Sequence, residues 1–114
     1  MKKLFQSAAT FSIALSALAV SALSLAATPE IELIIKDHLF FPATIVIPAG
    51  QKVRVRIFNQ DPTPEEFESF ELNREKLVVG NGQTVIFIGP LAPCEYPFFG
   101  EFYPKTAQGM VIVK

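Results

Sequence analysis

The sequence predicts an all-β fold, a sandwich or barrel of short strands. Three observations predict it. Apolar and polar residues alternate with a period of two along most of residues 27–114. Gly- and Pro-containing turns interrupt these runs at short intervals, and no stretch there holds helical periodicity over three turns.

The chain starts with a segment of different character. Of the first 26 residues 17 are apolar, against 40 of the remaining 88, which is ordinary for a globular domain. Lys2 and Lys3 precede an uncharged run from Leu4 to Ala27, and Ser24-Leu25-Ala26 offers small residues to a signal peptidase. Residues 1–26 are therefore expected to be a signal peptide cleaved after Ala26, with residues 27–114 as one domain in the periplasm. The alternative is an uncleaved anchor, since the uncharged run is long enough to span. Without the segment the chain has 8 basic and 11 acidic residues, net −3, so it lacks the basic footprint of a nucleic-acid binder. One cysteine excludes an intrachain disulfide.

The strands follow in order. Ile31, Leu33 and Ile35 share one face, with Glu32 and Lys36 on the other. Ile45 and Ile47 alternate with Thr44 and Val46, and Val53, Val55 and Ile57 with Lys52, Arg54 and Arg56. Leu77-Val78-Val79 is a further short strand. Val85 to Ile88 and Met110 to Val113 are apolar on both sides, as expected of strands covered on both faces. Pro48-Ala49-Gly50, Asn59 to Pro64, Gly80-Asn81-Gly82 and Gly89-Pro90 are the turns between them. Glu71 to Lys76 has room for one helical turn at most.

The order of these pieces resembles a cupredoxin. Asp37-His38-Leu39-Phe40-Phe41-Pro42 and Ile45-Val46-Ile47-Pro48-Ala49-Gly50 look like the family's opening. Val53 to Asn59 is similar to its next strand, Leu91 to Phe99 to its approach to the metal loop, and Gly109 to Val113 to its closing strand. The resemblance implies a Greek-key β-sandwich holding a metal ion at one end. Within the family, Pro64 to Ser69 and Phe98 to Phe102 with Thr106 to Gly109 look most like periplasmic proteins related to the cupredoxin domain of EfeO-type iron-uptake proteins. These are associated with ferrous-iron permeases of the Ftr type, and a Glu commonly replaces the first His in them.

A blue-copper site needs two His, one Cys and a weak axial Met. Laid on Tyr96, the family's loop puts Gly100 at the Cys position, Tyr103 at the second His and Ala107 at the Met, while Glu65-Glu66-Phe67-Glu68 falls near the first His. The chain has one His in total, so an ordinary blue-copper site is excluded.

Glu66, Glu68 and Glu101 are the candidate ligands, since carboxylates suit iron or Cu(II) better than Cu(I). In an extended segment Glu66, Glu68 and Phe70 share a face, and Glu101 follows in the loop that meets it. The plainer reading is that Glu65, Glu66 and Glu68 form a solvated acidic rim beside a Pro-rich turn. His38 is either a fourth ligand or a strand-end histidine bonded to a loop carbonyl. Cys94 reads as a turn residue with an unpaired thiol, and Tyr103 as an aromatic cap or a phenolate ligand. Lys52, Arg54 and Arg56 are the best surface for an acidic partner. Arg74, Glu75 and Lys76 read as a solvated turn.

The expected function is that of a periplasmic metal-binding protein, with copper or iron as its ion, serving ferrous-iron uptake or metal handling beside a membrane iron permease. The rival is a metal-free interaction subunit of the permease complex. An oxidase has weaker support. No nucleophile–base pair, phosphate loop or zinc-hydrolase pattern is present, and no small-molecule substrate is evident.

Overall fold

The computed structural model describes residues 27–114; the expected signal segment, 1–26, lies outside the described residues. Nine strands occupy the described part: β1 (Glu30–Lys36), β2 (Leu39–Phe41), β3 (Thr44–Ile47), β4 (Val53–Asn59), β5 (Glu65–Ser69), β6 (Arg74–Val78), β7 (Gln83–Ile88), β8 (Cys94–Gly100) and β9 (Gln108–Val113). They form two sheets, one of order β2-β1-β4-β7 and one of order β3-β9-β8-β5-β6. The pairs β1–β4 and β3–β9 are parallel and the others antiparallel. The fold is all-β, as the alternation predicts, and there is no helix among the described residues.

The period-two pattern decides which side chains enter the sandwich. On β4 Val53, Val55 and Ile57 are buried while Arg54 and Arg56 turn outward. Leu33 and Ile35 of β1, Ile45 and Ile47 of β3, and Val111 and Val113 of β9 complete the same apolar layer. Phe40, Phe67 and Phe98 fill one end, with the Phe67 and Phe98 rings stacked at 5.0 Å and Phe40 edge-on to both. Each such ring withdraws a large apolar area from water, about 2–3 kcal/mol apiece.

Two expectations are corrected. Strand β7, expected to be covered on both faces, is covered on one: Ile86 and Ile88 are buried, but Phe87 is 38% exposed under Lys52 and Arg54, while Met110 and Ile112 of β9 are half-buried. The apolar outer residue is screened by the stems of basic neighbours rather than by a further layer. The segment read as one helical turn is instead a tight turn, closed by Asn73 N–H donating to Phe70 O at 3.1 Å, followed by strand β6.

The turns are tied by polar side chains. Asn59 is buried and donates through Nδ2 to Thr63 O at 2.9 Å and Val78 O at 3.2 Å, while its Oδ1 accepts from Asp61 N at 3.0 Å. The Asp61 carboxylate in turn accepts from the backbone N–H groups of Asp37 (2.8 Å) and His38 (3.0 Å). Those two residues have φ of 53° and 58°, the left-handed conformation a two-residue hairpin between β1 and β2 requires. On the outer face Arg56 Nε donates to Glu30 at 2.7 Å and Arg54 lies 3.9 Å from it, so the basic strand already has an acidic partner within the chain.

Candidate metal centre

Strand β5 reads Glu-Glu-Phe-Glu-Ser, and its alternation divides the acidic residues between two faces. Phe67 enters the core, so Glu65 and Ser69 also point inward and are buried. Glu66 and Glu68 emerge on the outer face of the five-stranded sheet and are half-buried there. Pairing then brings in the neighbours. Glu75 of β6 stands directly opposite Glu68, and Glu101, just beyond β8, donates its N–H to Glu66 O at 2.9 Å. One carboxylate oxygen from each of Glu66, Glu68, Glu75 and Glu101 lies within 4.8 Å of the other three.

Like charges placed opposite one another on a sheet repel. Glu66 Oε1 and Glu68 Oε2 add a second cost, being shielded from water without a hydrogen-bond partner. The Glu66 carboxyl is pushed up to about 8, first because its protonated form alone can hydrogen-bond the Glu75 carboxylate, then by burial, then by the same effect of Glu101 and the two neighbouring charges. Glu68 is raised as well, chiefly by burial and then by the charges of Glu75 and Glu101. A proton or a cation relieves this arrangement. Donors of one ion are separated by at most twice the metal–oxygen distance, about 4–5 Å for hard cations, and this spacing meets that limit.

Three of the four candidate ligands read from the sequence therefore meet on one face. Glu75, set aside there as part of a solvated turn, joins them because the β5–β6 hairpin carries it across from Glu68. Phe70, placed on the same face, is exposed and tilts against Phe99 with ring centroids 5.6 Å apart.

His38 is placed elsewhere. Its ring lies flat on Tyr103, centroids 3.5 Å apart, and its Nδ1 is 3.5 Å from Asp61. The Asp61-capped turn holds it there, and it is not one of the four grouped acidic residues. Tyr103 is the aromatic cap of the two readings considered, partly buried against the core. Cys94 opens β8 opposite Val113 and is exposed; a strand length, about 20 Å, separates it from Glu101 at the far end.

Behind the acidic group lies Glu65, which the plainer sequence reading put in a solvated rim and which the alternation of β5 instead turns into the core beside Phe67. Glu65 is 2% exposed. Its Oε1 accepts from Glu66 N at 2.8 Å and Phe102 N at 2.9 Å, and its Oε2 has no partner. A Cβ at Gly100 would stand 2.5 Å from this carboxylate and 2.8 Å from Ala107 Cβ, so Glu65 fills the space that the missing side chain leaves.

The cupredoxin-like domain model matches residues 8–113. This chain belongs to the cupredoxin-like family. An uncharacterized protein of Rickettsia prowazekii (strain Madrid E) is 45% identical over 84 residues, covering 74% of this chain and 67% of the relative. Among solved structures, the cupredoxin-like domain is similar to the metal-binding domain of a Streptococcus pneumoniae D39 Cu(I)-exporting P-type ATPase, solved with Cu(I). That match has a TM-score of 0.66, 17% identity and coverage of 75% of this chain and 84% of the other. Auracyanin A, a "blue" copper protein of Chloroflexus aurantiacus, matches with a TM-score of 0.65 and 15% identity over 75% of this chain and 98% of its own. At these identities the likeness is one of fold.

The copper-thiolate group of the fold family does not fit the residues present. The interior carboxylate Glu65 faces Gly100 and Ala107, neither of which has a donor side chain, and the one thiol sits at the other end of β8.

Proposed function

We propose that this cupredoxin-like protein is a periplasmic metal-binding protein that takes iron or Cu(II) on the outer face of its five-stranded sheet. Glu66 anchors the ion, and Glu68, Glu75 and Glu101 complete an all-oxygen set. The observation that carries this is the pair of shielded, unpartnered oxygens on Glu66 and Glu68, turned toward two more carboxylates within 4.8 Å. Oxygen donors of this kind prefer a hard ion to Cu(I). Lys2, Lys3 and the apolar run before Ala26 support the export part of this reading. A Glu near the first ligand position and the Thr106-Ala107-Gln108-Gly109 segment favour service beside a ferrous-iron permease, through their resemblance to EfeO-type and Ftr-associated cupredoxins.

Calorimetric titration of the purified protein with Fe(II), Fe(III) and Cu(II) tests the reading. Micromolar binding is expected, weakened about tenfold or more in Glu66→Ala and unchanged in Cys94→Ser. Binding no tighter than millimolar, or indifferent to Glu66→Ala, refutes it. A second reading, a metal-free docking subunit of the permease complex, is favoured by the donor-free residues at Gly100 and Ala107. Partner capture from membranes that persists in chelator and in Glu66→Ala supports that reading instead.

A further inference from the structure

Resting on the metal-binding reading, we infer that the cation position has moved from the inside of the sandwich to the outside of the same β5–β8 junction. Glu65 is the residue that closes the inside. The cupredoxin resemblance implies ligands near Glu65 and at Gly100, Tyr103 and Ala107; here the Glu65 carboxylate, the bare Cα of Gly100 and the Ala107 methyl meet one another, and the Tyr103 ring lies flat on His38. Of the three that meet only Glu65 has a donor atom, and one carboxylate does not make the His- and Cys-ligated copper site.

The same side chain builds the outer position. Glu65 Oε1 accepts from Glu66 N and from Phe102 N, so one buried oxygen holds the backbone beside Glu66 and beside Glu101. The Glu101 N–H to Glu66 O bond locks the two strands at the same level. Period-two alternation does the rest: a carboxylate turned inward at 65 forces those at 66 and 68 outward. Glu65 is thus a positioning residue for the outer group, and its charge is not spent on the ion.

Two sets of variants test this. Glu65→Gln keeps the Oε1 acceptor and removes only the charge. Its affinity for Fe(II) or Cu(II) is expected within about threefold of wild type, while Glu66→Gln loses about tenfold or more. Equal losses in the two variants place the ion inside and overturn the inference. The second set grafts the thiolate site: Gly100→Cys and Tyr103→His combined with either Glu65→His or Glu66→His. An intense visible thiolate-to-copper band with Cu(II) is expected for the Glu65→His combination only. The band in the Glu66→His combination instead, or in neither folded protein, overturns the assignment of Glu65 to the interior position. Wild type that binds no cation overturns the outer site and the metal-binding reading together; the band then still reports separately whether Glu65 closes the interior.

Discussion

Cation affinity should rise steeply with pH and then level off, and Glu66 sets where. Its carboxyl is pushed up to about 8, because only the protonated form can hydrogen-bond the Glu75 carboxylate, burial disfavours its charge, and Glu101 adds a second such acceptor and a second negative charge. A proton and a cation compete for the same oxygens. Below that value the ionised fraction changes tenfold per pH unit, so affinity should rise about tenfold between pH 6 and pH 7 and flatten above about pH 8. Each ion bound near pH 6 should release about one proton. The stability of the ion-free protein should move the other way. The folded state holds this proton more tightly than an unfolded chain with the ordinary value of 4.5, so it binds more protons throughout the interval between them. Its contribution to stability is complete below about pH 4.5 and is lost as pH rises to about 8. Calorimetry with anaerobic Fe(II), in two buffers of different ionisation enthalpy, measures both the affinity slope and the protons released. Thermal melts without metal measure the opposing slope. Affinity that is flat from about pH 6 to pH 7.5 with no proton release, or a slope that survives Glu66→Gln, refutes the argument.

Asn59→Ala should cost about 2–4 kcal/mol in urea unfolding, because it strips Thr63 O and Val78 O of a buried donor and Asp61 N of its acceptor. The Asp61 cap over residues 37 and 38 should loosen with it, which hydrogen exchange at those amides will report. Gly109→Ala should cost about 2–3 kcal/mol by the same assay, since a Cβ there overlaps the edge of the Phe98 ring and stands 2.8 Å from Ala43 O. Phe98 is 1% exposed and stacked on Phe67, so it has nowhere to move.

Much of the fold is legible because the outer face of each sheet is polar enough to mark the inner one. Val53, Val55 and Ile57 set against three basic residues mark the inner face of β4 in the sequence itself. The misreadings come where that contrast fails. Phe87 sits at an outer position and is apolar, so its strand looks covered twice; Lys52 and Arg54 supply the cover from the neighbouring strand, which no local pattern reveals. Arg74 to Lys76 has three charged residues in a row and no alternation at all, because it belongs to an edge strand with neither face deeply buried.

Three of the four grouped carboxylates are named from the sequence; Glu75 is not, His38 is named but lies elsewhere, and Glu65 is placed on the wrong face. Glu65 and Glu66 are chemically identical neighbours, so composition and spacing cannot say which of them faces inward. Phe67 can. A phenylalanine next to two glutamates belongs to the core, and a period of two then assigns Glu65 to the same side and Glu66 to the other. Glu75 was recoverable by a longer step: once Phe70 to Asn73 is taken as a hairpin turn, antiparallel pairing sets Glu75 against Glu68. His38 shows the limit of such reasoning. Its fate depends on Asp61, 23 positions away, and on a tyrosine 65 positions away that covers its ring. Buried, Glu65 gives up hydration and recovers part of it from two backbone N–H groups, which leaves Oε2 uncompensated. The outer carboxylates carry a different deficit, mutual repulsion together with two shielded oxygens, which a hard cation offsets directly. The inner oxygen faces a glycine and a methyl and the outer ones face each other, and that difference in surroundings supports the proposed outer ion.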